Sequence, residues 1–440
     1  MTQKYVTYIS RFYLRDHKCF HGENNFNLLD NNNKPIQWTV ILGNNNTGKT
    51  SILKALATLE PTLFNLGDDE HDITALPLQY SLNNGKHNDI NNEYQDLVGC
   101  DILIKKKTSN KSYFSGNFEL YSSDPNRIPF INPLQIDEPE WSYTTNSMYS
   151  GGNFNKLQNL KIYGYGVTRR AGNLGLKGDR EYNSQTLFMP NESLINIEDW
   201  LLQLDYASKN GQAVASENII KLKKIFKSGI FPELTDFKFI SSKSLRNHVE
   251  FKTKDGWFIL EELGYGYQTT LSWFIDFCKK MFERYPRSNN PLAEPALVLI
   301  DEIDLHLHPS WQKNIVKFLS DIFPGTQFIV TTHSPQVIQS IDKLNLFILQ
   351  KAEKGIKIHK SSRSTFKGWS VEEILEDIMH IENGTYSSVY NELVYLFDKA
   401  LDTKNREQAI KAFDNLDEIL HPESAERKIL KLQLSQILKK

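Results

Sequence analysis

The segment GNNNTGKT, from Gly43 to Thr50, constrains this chain more than any other. It matches the pattern G-x-x-x-x-G-K-[ST], in which glycines let successive backbone N–H groups face a phosphate at a helix N-terminus. The apolar run WTVIL at 38–42 predicts a strand before the loop, and an apolar helical face at 52–59 predicts a helix after it. A strand, this loop and a helix in that order predict a P-loop that binds a nucleotide phosphate.

Residue types within this loop indicate distinct roles. Lys49 is expected to reach the β- and γ-phosphates of ATP, and the Thr50 hydroxyl is expected to coordinate Mg²⁺. The expected cofactors are therefore ATP and Mg²⁺. The residues predicted to contact the nucleotide here are Gly43, Asn44, Asn45, Asn46, Thr47, Gly48, Lys49, Thr50 and Ser51.

A second segment, ALVLIDEIDLHLHP at 296–309, places two carboxylates after a wholly apolar strand. Asp301 is expected to hold Mg²⁺ through water, and Glu302 to orient or deprotonate an attacking water. An acidic pair at a strand end is common at protein surfaces and is weak evidence alone. With a P-loop upstream, the pair predicts the catalytic half of an ATPase site.

Two further segments complete the set of motifs. FIVTTHSP at 328–335 is a buried strand that ends at His333, which suits a sensor of the γ-phosphate. LGYGYQ, from Leu263 to Gln268, precedes a long predicted helix, so Gly264 and Gly266 predict a second anion-binding nest at a helix N-terminus.

Strands that alternate with helices predict an α/β fold with a mixed, mostly parallel sheet. Only helices are predicted after Ser370, where Ser370 and Glu373 have capping-box spacing. The predicted organisation is a first part of the ATPase head at 1–64, a loop- and strand-rich part or insertion at 65–160, the remainder of the head at 161–365, and a helical module at 366–440.

Net charge, cysteine spacing and the length of apolar runs argue against several classes of protein. The formal net charge of −2 gives no overall attraction to nucleic acid or membrane. The three cysteines are far apart and form no C-x-x-C pair, which argues against a zinc knuckle and a disulfide scaffold. The N-terminus lacks the apolar core of a signal peptide, and no run approaches the roughly 18 apolar residues of a spanning helix. A reduced, cytoplasmic protein is expected.

In their order, these motifs resemble the ABC ATPase head over residues 1 to 350. The form IDEIDLHLHP…TTHSP is similar to stand-alone ABC-like ATPases, which include the overcoming-lysogenization-defect class. The segments FMPNESLINIEDWLLQLDYA (188–207) and GWSVEEILEDI (368–378) resemble PtuA, the ATPase subunit of Septu-type anti-phage systems, which also occurs in some retrons.

The resemblance implies a site shared between two copies. ATP would lie between the P-loop of one copy and the Leu263–Gln268 segment of another, so a homodimer or a multiple of dimers is implied. Glu302, His333 and Asp301 would act in cis, whereas Gly264 and Gly266 would act in trans. The Leu263–Gln268 segment corresponds to the signature motif of ABC ATPases. Gly264 stands where that motif usually has a serine, which implies slow hydrolysis.

The family also implies partners. We expect a defence complex in which the ATPase senses nucleotide or infection and controls a partner nuclease of HNH type. Nucleic acid would be reached through this complex, and no membrane is involved. The alternative is a stand-alone DNA-repair or DNA-processing ATPase. A self-sufficient nuclease of the overcoming-lysogenization-defect type needs a TOPRIM domain with a glutamate and a D-x-D pair of metal ligands, and no D-x-D occurs after His333. A Rad50-like protein needs long heptad arms, which are not visible.

Two weaker features keep alternatives open. Arg169 and Arg170, in YGYGVTRR, are placed to approach either a phosphate or a neighbouring subunit. His306 and His308 have the spacing of a metal-ligand pair, but the family resemblance makes them part of the loop after the Asp-Glu pair.

Overall fold

The computed structural model describes residues 5–65, 71–75, 96–106, 114–122, 130–132, 160–172, 183–229, 231, 233–241, 247–380 and 386–438. Much of the region 65–160, predicted as strands joined by long loops, lies outside these ranges. The described residues divide into two compact units, and the boundary along the chain lies between Trp369 and Ser370.

Sixteen strands are described. They are β1 (Tyr5–Arg15), β2 (Glu23–Asn27), β3 (Trp38–Gly43), β4 (Pro61–Asn65), β5 (His71–Ala75), β6 (Asp96–Lys106), β7 (Phe114–Ser122), β8 (Phe130–Asn132), β9 (Ile162–Tyr165), β10 (Asp236–Ser241), β11 (Asn247–Lys252), β12 (Trp257–Phe258), β13 (Ala296–Ile300), β14 (Thr326–Thr331), β15 (Leu344–Lys351) and β16 (Ile356–Lys360).

Ten α-helices of four or more residues accompany these strands in the described ranges. They are α1 (Lys49–Thr58), α2 (Gln185–Phe188), α3 (Ile197–Lys209), α4 (Ala213–Lys227), α5 (Tyr265–Arg284), α6 (Pro309–Ile322), α7 (Pro335–Ser340), α8 (Ser388–Asp402), α9 (Arg406–Ile419) and α10 (Ala425–Leu438). None of them is long and apolar enough to cross a bilayer.

The first unit is organised by a six-stranded sheet in the order β16-β15-β3-β14-β13-β9. All neighbouring pairs are parallel except β15 and β16, which form an antiparallel edge. Every residue of β13 and β14 is buried, as expected for central strands covered on both faces. The predicted α/β class with a mixed, mostly parallel sheet is confirmed.

Helix α1 packs on this sheet because its apolar residues recur at helical spacing. Ile52, Leu53 and Leu56 are at most 1% exposed and belong to a core shared with β3, β9, β13 and β14. Burying one such side chain contributes about 1.5–3 kcal/mol. This packing fixes the start of α1, and therefore the P-loop, at the carboxyl end of β3.

Three smaller sheets complete the first unit. A five-stranded sheet has the order β2-β1-β6-β7-β8, and the other two have the orders β10-β11-β12 and β4-β5. All their described pairings are antiparallel. The Phe26 ring joins the first of them to the central sheet, with its centroid 5.0 Å from that of Phe347 in an edge-on contact.

The second unit is helical, as the pattern after Ser370 predicts. The Ser370 hydroxyl accepts the Glu373 N–H, and the Glu373 carboxylate accepts the Ser370 N–H, which forms the predicted capping box. The segment Ile374–Ile378 is a π-helix rather than a further α-helical turn. Helices α8, α9 and α10 share a core that includes the fully buried Phe397 and Leu416.

Candidate functional site

The motif residues meet at one edge of the central sheet. Strands β3, β14 and β13 are parallel neighbours, so their carboxyl ends lie side by side. The P-loop follows β3, His333 follows β14, and the Asp301–Glu302 pair follows β13. Ligand sites in open α/β sheets form at this edge, because loops there converge without interrupting the strands.

Two loop positions require glycine. A Cβ atom on Gly43 would lie 2.4 Å from Thr47 Oγ1 and 2.9 Å from Leu349 Cβ, closer than atoms can approach. Gly48 has a φ of 86°, and a Cβ there would lie 2.7 Å from Cys19 Sγ. The two glycines of the motif therefore let the loop fold back tightly over the end of β3.

Lys49 is held inside the loop by three partners. Its Nζ donates to the carbonyl oxygens of Gly43 at 2.7 Å and Asn44 at 3.2 Å, and it lies 2.8 Å from His333 Nε2. Burial lowers the pKa of Lys49, and the nearby carboxylates of Glu302, Asp301 and Asp304 oppose that shift. A charged Lys49 makes His333 Nε2 an acceptor, which places the imidazole proton on Nδ1.

A chain of hydroxyl contacts holds the Asp301 carboxylate. Thr50 Oγ1 donates to Asp301 Oδ2 at 2.6 Å, and Thr331 Oγ1 donates to Asp301 Oδ1 at 2.7 Å. The Glu302 N–H in turn donates to Thr331 Oγ1 at 2.7 Å. Thr331, which sequence reasoning did not select, therefore links β14 to both acidic residues.

Glu302 lies in an unusual backbone conformation. Its φ of 48° is in the left-handed region, which costs about 1–3 kcal/mol for a residue other than glycine. Together with Asn44, Asn45 and His333 it lines a cavity of about 390 Å³. The cavity has room for phosphate groups and faces both an acidic residue and the P-loop backbone.

The Asp304 carboxylate positions the segment that carries His333. Its Oδ1 accepts a hydrogen bond from the Thr332 hydroxyl and one from the His333 N–H at 3.3 Å. This carboxylate was not selected from the sequence, although it stands in the same IDEID run as Asp301 and Glu302.

Arg169 joins the site from β9, the strand beside β13. The side chain is 3% exposed, and one terminal guanidinium nitrogen donates to the Glu302 carbonyl at 2.6 Å. Burial lowers its pKa to about 10, against the attraction of Asp301, Asp304 and Glu302. It therefore remains a buried cation at neutral pH. Arg170, by contrast, is exposed.

The predicted signature residues lie at the start of α5. Gly264 is the N-cap of α5 and is exposed, whereas the Leu263 side chain is buried. A Cβ on Gly266 would lie 2.3 Å from the His306 carbonyl oxygen, so Gly266 permits close packing on the loop after β13. The hydrogen bonds that join the P-loop to Asp301 and His333 involve none of these three residues.

The described residues contain no group of three or more His, Cys, Asp and Glu side chains placed to hold a metal. His308 instead caps α6 by accepting the Ser310 N–H, and the His306 ring packs edge-on against Tyr265. The Thr50 hydroxyl and the Asp301 carboxylate are hard oxygen donors 2.6 Å apart. That pair suits Mg²⁺, which binds through one or two protein oxygens and completes its shell with water and phosphate.

Comparisons with known proteins agree with this geometry. Residues 191–339 match the family model described as "AAA domain, putative AbiEii toxin, Type IV TA system". The Septu protein PtuA of Bacillus thuringiensis is 35% identical over 204 residues, which are 45% of this chain and 51% of that protein. The chain is therefore similar to PtuA over about half of that protein.

Two further matches were found. The retron Ec83 probable ATPase of Escherichia coli is 40% identical over 131 residues, which are 30% of this chain and 24% of that protein. An SMC head bound to the C-winged helix domain of ScpA aligns with 82% of this chain and 99% of its own, at 14% identity and a TM-score of 0.46. The chain spans about half the length of the PtuA relative. The predicted resemblance to Septu and retron ATPases is confirmed.

Proposed function

We propose that this chain binds and hydrolyses Mg-ATP as the ATPase subunit of an anti-phage defence complex and controls a partner nuclease of HNH type. One observation carries the proposal: Lys49 contacts His333 and Thr50 contacts Asp301 at one sheet edge, where Glu302 and His333 line a cavity with two P-loop asparagines. The names of the Septu and retron relatives support the defence role.

Nucleotide binding would exchange the partners of Lys49. Its Nζ is bonded to two loop carbonyls and to His333, all of which a phosphate oxygen can replace. Phosphate is the stronger partner because its hydrogen bond to an ammonium is assisted by both charges. Once Lys49 has turned to the phosphate, His333 Nε2 no longer has to accept its hydrogen bond, so the imidazole proton can move from Nδ1 to Nε2 and be donated to a γ-phosphate oxygen at the cavity wall.

Hydrolysis requires a base beside the cavity. We assign that role to Glu302, which lines the cavity. Its carboxylate would take a proton from water as the water oxygen bonds to the γ-phosphorus and the bond to the β-phosphate oxygen breaks. Thr50 and Asp301 would hold Mg²⁺, which would supply charge neutralisation at the β- and γ-phosphates.

Self-association would complete the site. Gly264 begins α5 at an exposed position, so the helix N-terminus is available to an anion from a second copy. Gly266 packs on His306 of its own chain, which ties this segment to the loop that carries Asp301 and Glu302. A dimer or a multiple of dimers would then bring each P-loop to the α5 N-terminus of a neighbour.

Restoring the signature serine is expected to accelerate hydrolysis. Gly264→Ser fits without strain, because the nearest atom to an added Cβ is Tyr267 Cδ2 at 3.9 Å, and serine is a favoured N-cap. A hydroxyl donor to the γ-phosphate is worth about 1.5–3 kcal/mol, so kcat should rise about tenfold or more. Steady-state phosphate release measures this, with Gly264→Ala as the control. A Ser variant no faster than the Ala variant would contradict the explanation for slow turnover.

The defence role is tested with the product of the neighbouring reading frame. We expect that product to be an HNH nuclease that copurifies with this chain and whose DNA cleavage differs between ATP and ADP. The difference should disappear with Lys49→Ala, because that protein cannot register the nucleotide. A neighbour without nuclease activity, or cleavage that is the same under all nucleotide conditions, would contradict nuclease control.

A further inference from the structure

Arg169 and Glu302 reach the same place from neighbouring strands. Strands β9 and β13 are parallel, with Tyr165 opposite Ile300, and the Asp301 N–H donates to the Tyr165 carbonyl at 2.9 Å. The segments that follow the two strands therefore emerge at the same sheet edge. Arg169 comes four residues after β9 and bonds to the backbone of Glu302, two residues after β13.

The Arg169 segment is anchored on both sides. The Gly166 N–H donates to Thr186 Oγ1 at 3.3 Å, and a Cβ on Gly166 would lie 2.2 Å from the Thr186 carbonyl oxygen. After Arg169, the Arg170 carbonyl accepts the Leu194 N–H at 2.7 Å. Arg169 itself has a φ of 30°, a strained value that these anchors hold.

Glu302 depends on a small number of contacts for its conformation. Its N–H donates to Thr331 Oγ1, and its carbonyl accepts hydrogen bonds from Arg169 at 2.6 Å and from the Leu305 N–H at 3.0 Å. A left-handed φ in a residue with a side chain persists only where its surroundings enforce it. The charged contact from Arg169 is the strongest of the three.

We propose that Arg169 is a positioning residue for Glu302, whose guanidinium clamps the Glu302 carbonyl and thereby fixes the direction of the carboxylate at the cavity. The inference rests on the proposed ATPase function and deepens it. Arg169 Nε has no hydrogen-bond partner in the described structure. The buried side chain bonds to the Glu302 carbonyl through a terminal nitrogen instead. Arg169 acts through Glu302 and not through the nucleotide.

The test uses Arg169→Met, which preserves length and removes the donor. Single-turnover hydrolysis and the affinities for fluorescent ATP and ADP analogues are measured for the intact protein. We expect kcat to fall about 10²-fold, since small misplacement of a catalytic group has effects of that size. Affinity for both nucleotides should stay near the wild-type value. Arg287→Met, which makes the same change at an exposed position after α5, is the matched control and should hydrolyse normally.

Two further variants separate positioning from a structural role. Arg169→Lys retains a cationic donor and should recover part of the lost rate. Arg169→Met combined with Glu302→Gln should be no slower than Glu302→Gln alone, because Arg169 acts only through the carboxylate that is already removed. A purely structural residue would instead slow the double variant further and weaken nucleotide binding.

The outcomes are distinct. The inference would be overturned by a normal kcat in Arg169→Met, or by losses that multiply in the double variant. A loss of affinity for ATP but not for ADP would also overturn it, because it would show that Arg169 contacts the phosphate directly. If Arg169→Met does not fold, Arg169→Lys decides: a lower kcat at unchanged affinity supports positioning, and an unchanged kcat overturns it. Equal rates in wild type and Glu302→Gln would refute the proposed base, and the Arg169 inference with it.

Discussion

Replacing Glu302 with glutamine is expected to lower kcat for ATP hydrolysis by about 10²–10⁴-fold, the range associated with a general base. Glutamine keeps the size of the side chain and leaves the backbone bonds to Thr331 and Arg169 intact. Nucleotide binding depends on the P-loop and should therefore persist. The measurement is phosphate release in single-turnover conditions together with the affinity for ATP.

A matched control is Glu353→Gln, which makes the same chemical change at an exposed position between β15 and β16. That variant should hydrolyse ATP at the wild-type rate. A Glu302→Gln protein as fast as its control would show that Glu302 is not the base. Loss of ATP affinity in Glu302→Gln would show that the carboxylate serves binding instead.

Continuous apolar strands and long helices were the elements most predictable from the sequence. The apolar run at 296–300 has the same bounds in the structure as in the prediction, because a strand buried on both faces is a continuous apolar segment. The long helix predicted to follow Gln268 begins earlier, at Tyr265, so Gly266 lies in its first turn. The helical segment predicted after Ser370 buries Ile374 and Ile378, but through a π-helix that apolar spacing alone does not distinguish.

The candidate site was predictable where chemistry follows a motif. Each motif is a continuous stretch of sequence that directly follows a strand: the P-loop, the Asp301–Glu302 pair and the segment with His333. A parallel sheet brings such stretches together at one edge. Arg169 could not be assigned, because its partner is decided by the pairing of β9 with β13. Strand β9 has four residues and includes a glycine, too little for a periodic pattern.

Gly266 illustrates a second limit. A glycine before a long helix predicts an anion nest, yet this one also allows contact with the His306 carbonyl. The sequence contains no sign of that contact, since His306 lies 40 residues away. The left-handed φ of His306, 66°, is likewise set by the turn after β13.

Two variants that each abolish hydrolysis should restore it when they are mixed. Lys49→Ala removes charge-assisted bonds to phosphate worth about 1.5–3 kcal/mol each, so two lost bonds weaken ATP binding roughly 10²–10⁴-fold. Gly264→Asp places a negative charge where the trans phosphate would lie. Aspartate is a favoured N-cap and meets no atom within 3.9 Å of its Cβ, so the fold should be kept.

The mixture tests directly whether ATP is hydrolysed between two copies. A mixed dimer pairs the intact P-loop of the Gly264→Asp copy with the intact α5 N-terminus of the Lys49→Ala copy. With free exchange, half of the dimers are mixed and each has one of two sites intact, which predicts about a quarter of wild-type activity. Capture of differently tagged copies confirms that exchange has occurred. A mixture that exchanges but remains as inactive as its components, or a Gly264→Asp protein that hydrolyses ATP normally alone, would contradict the shared site.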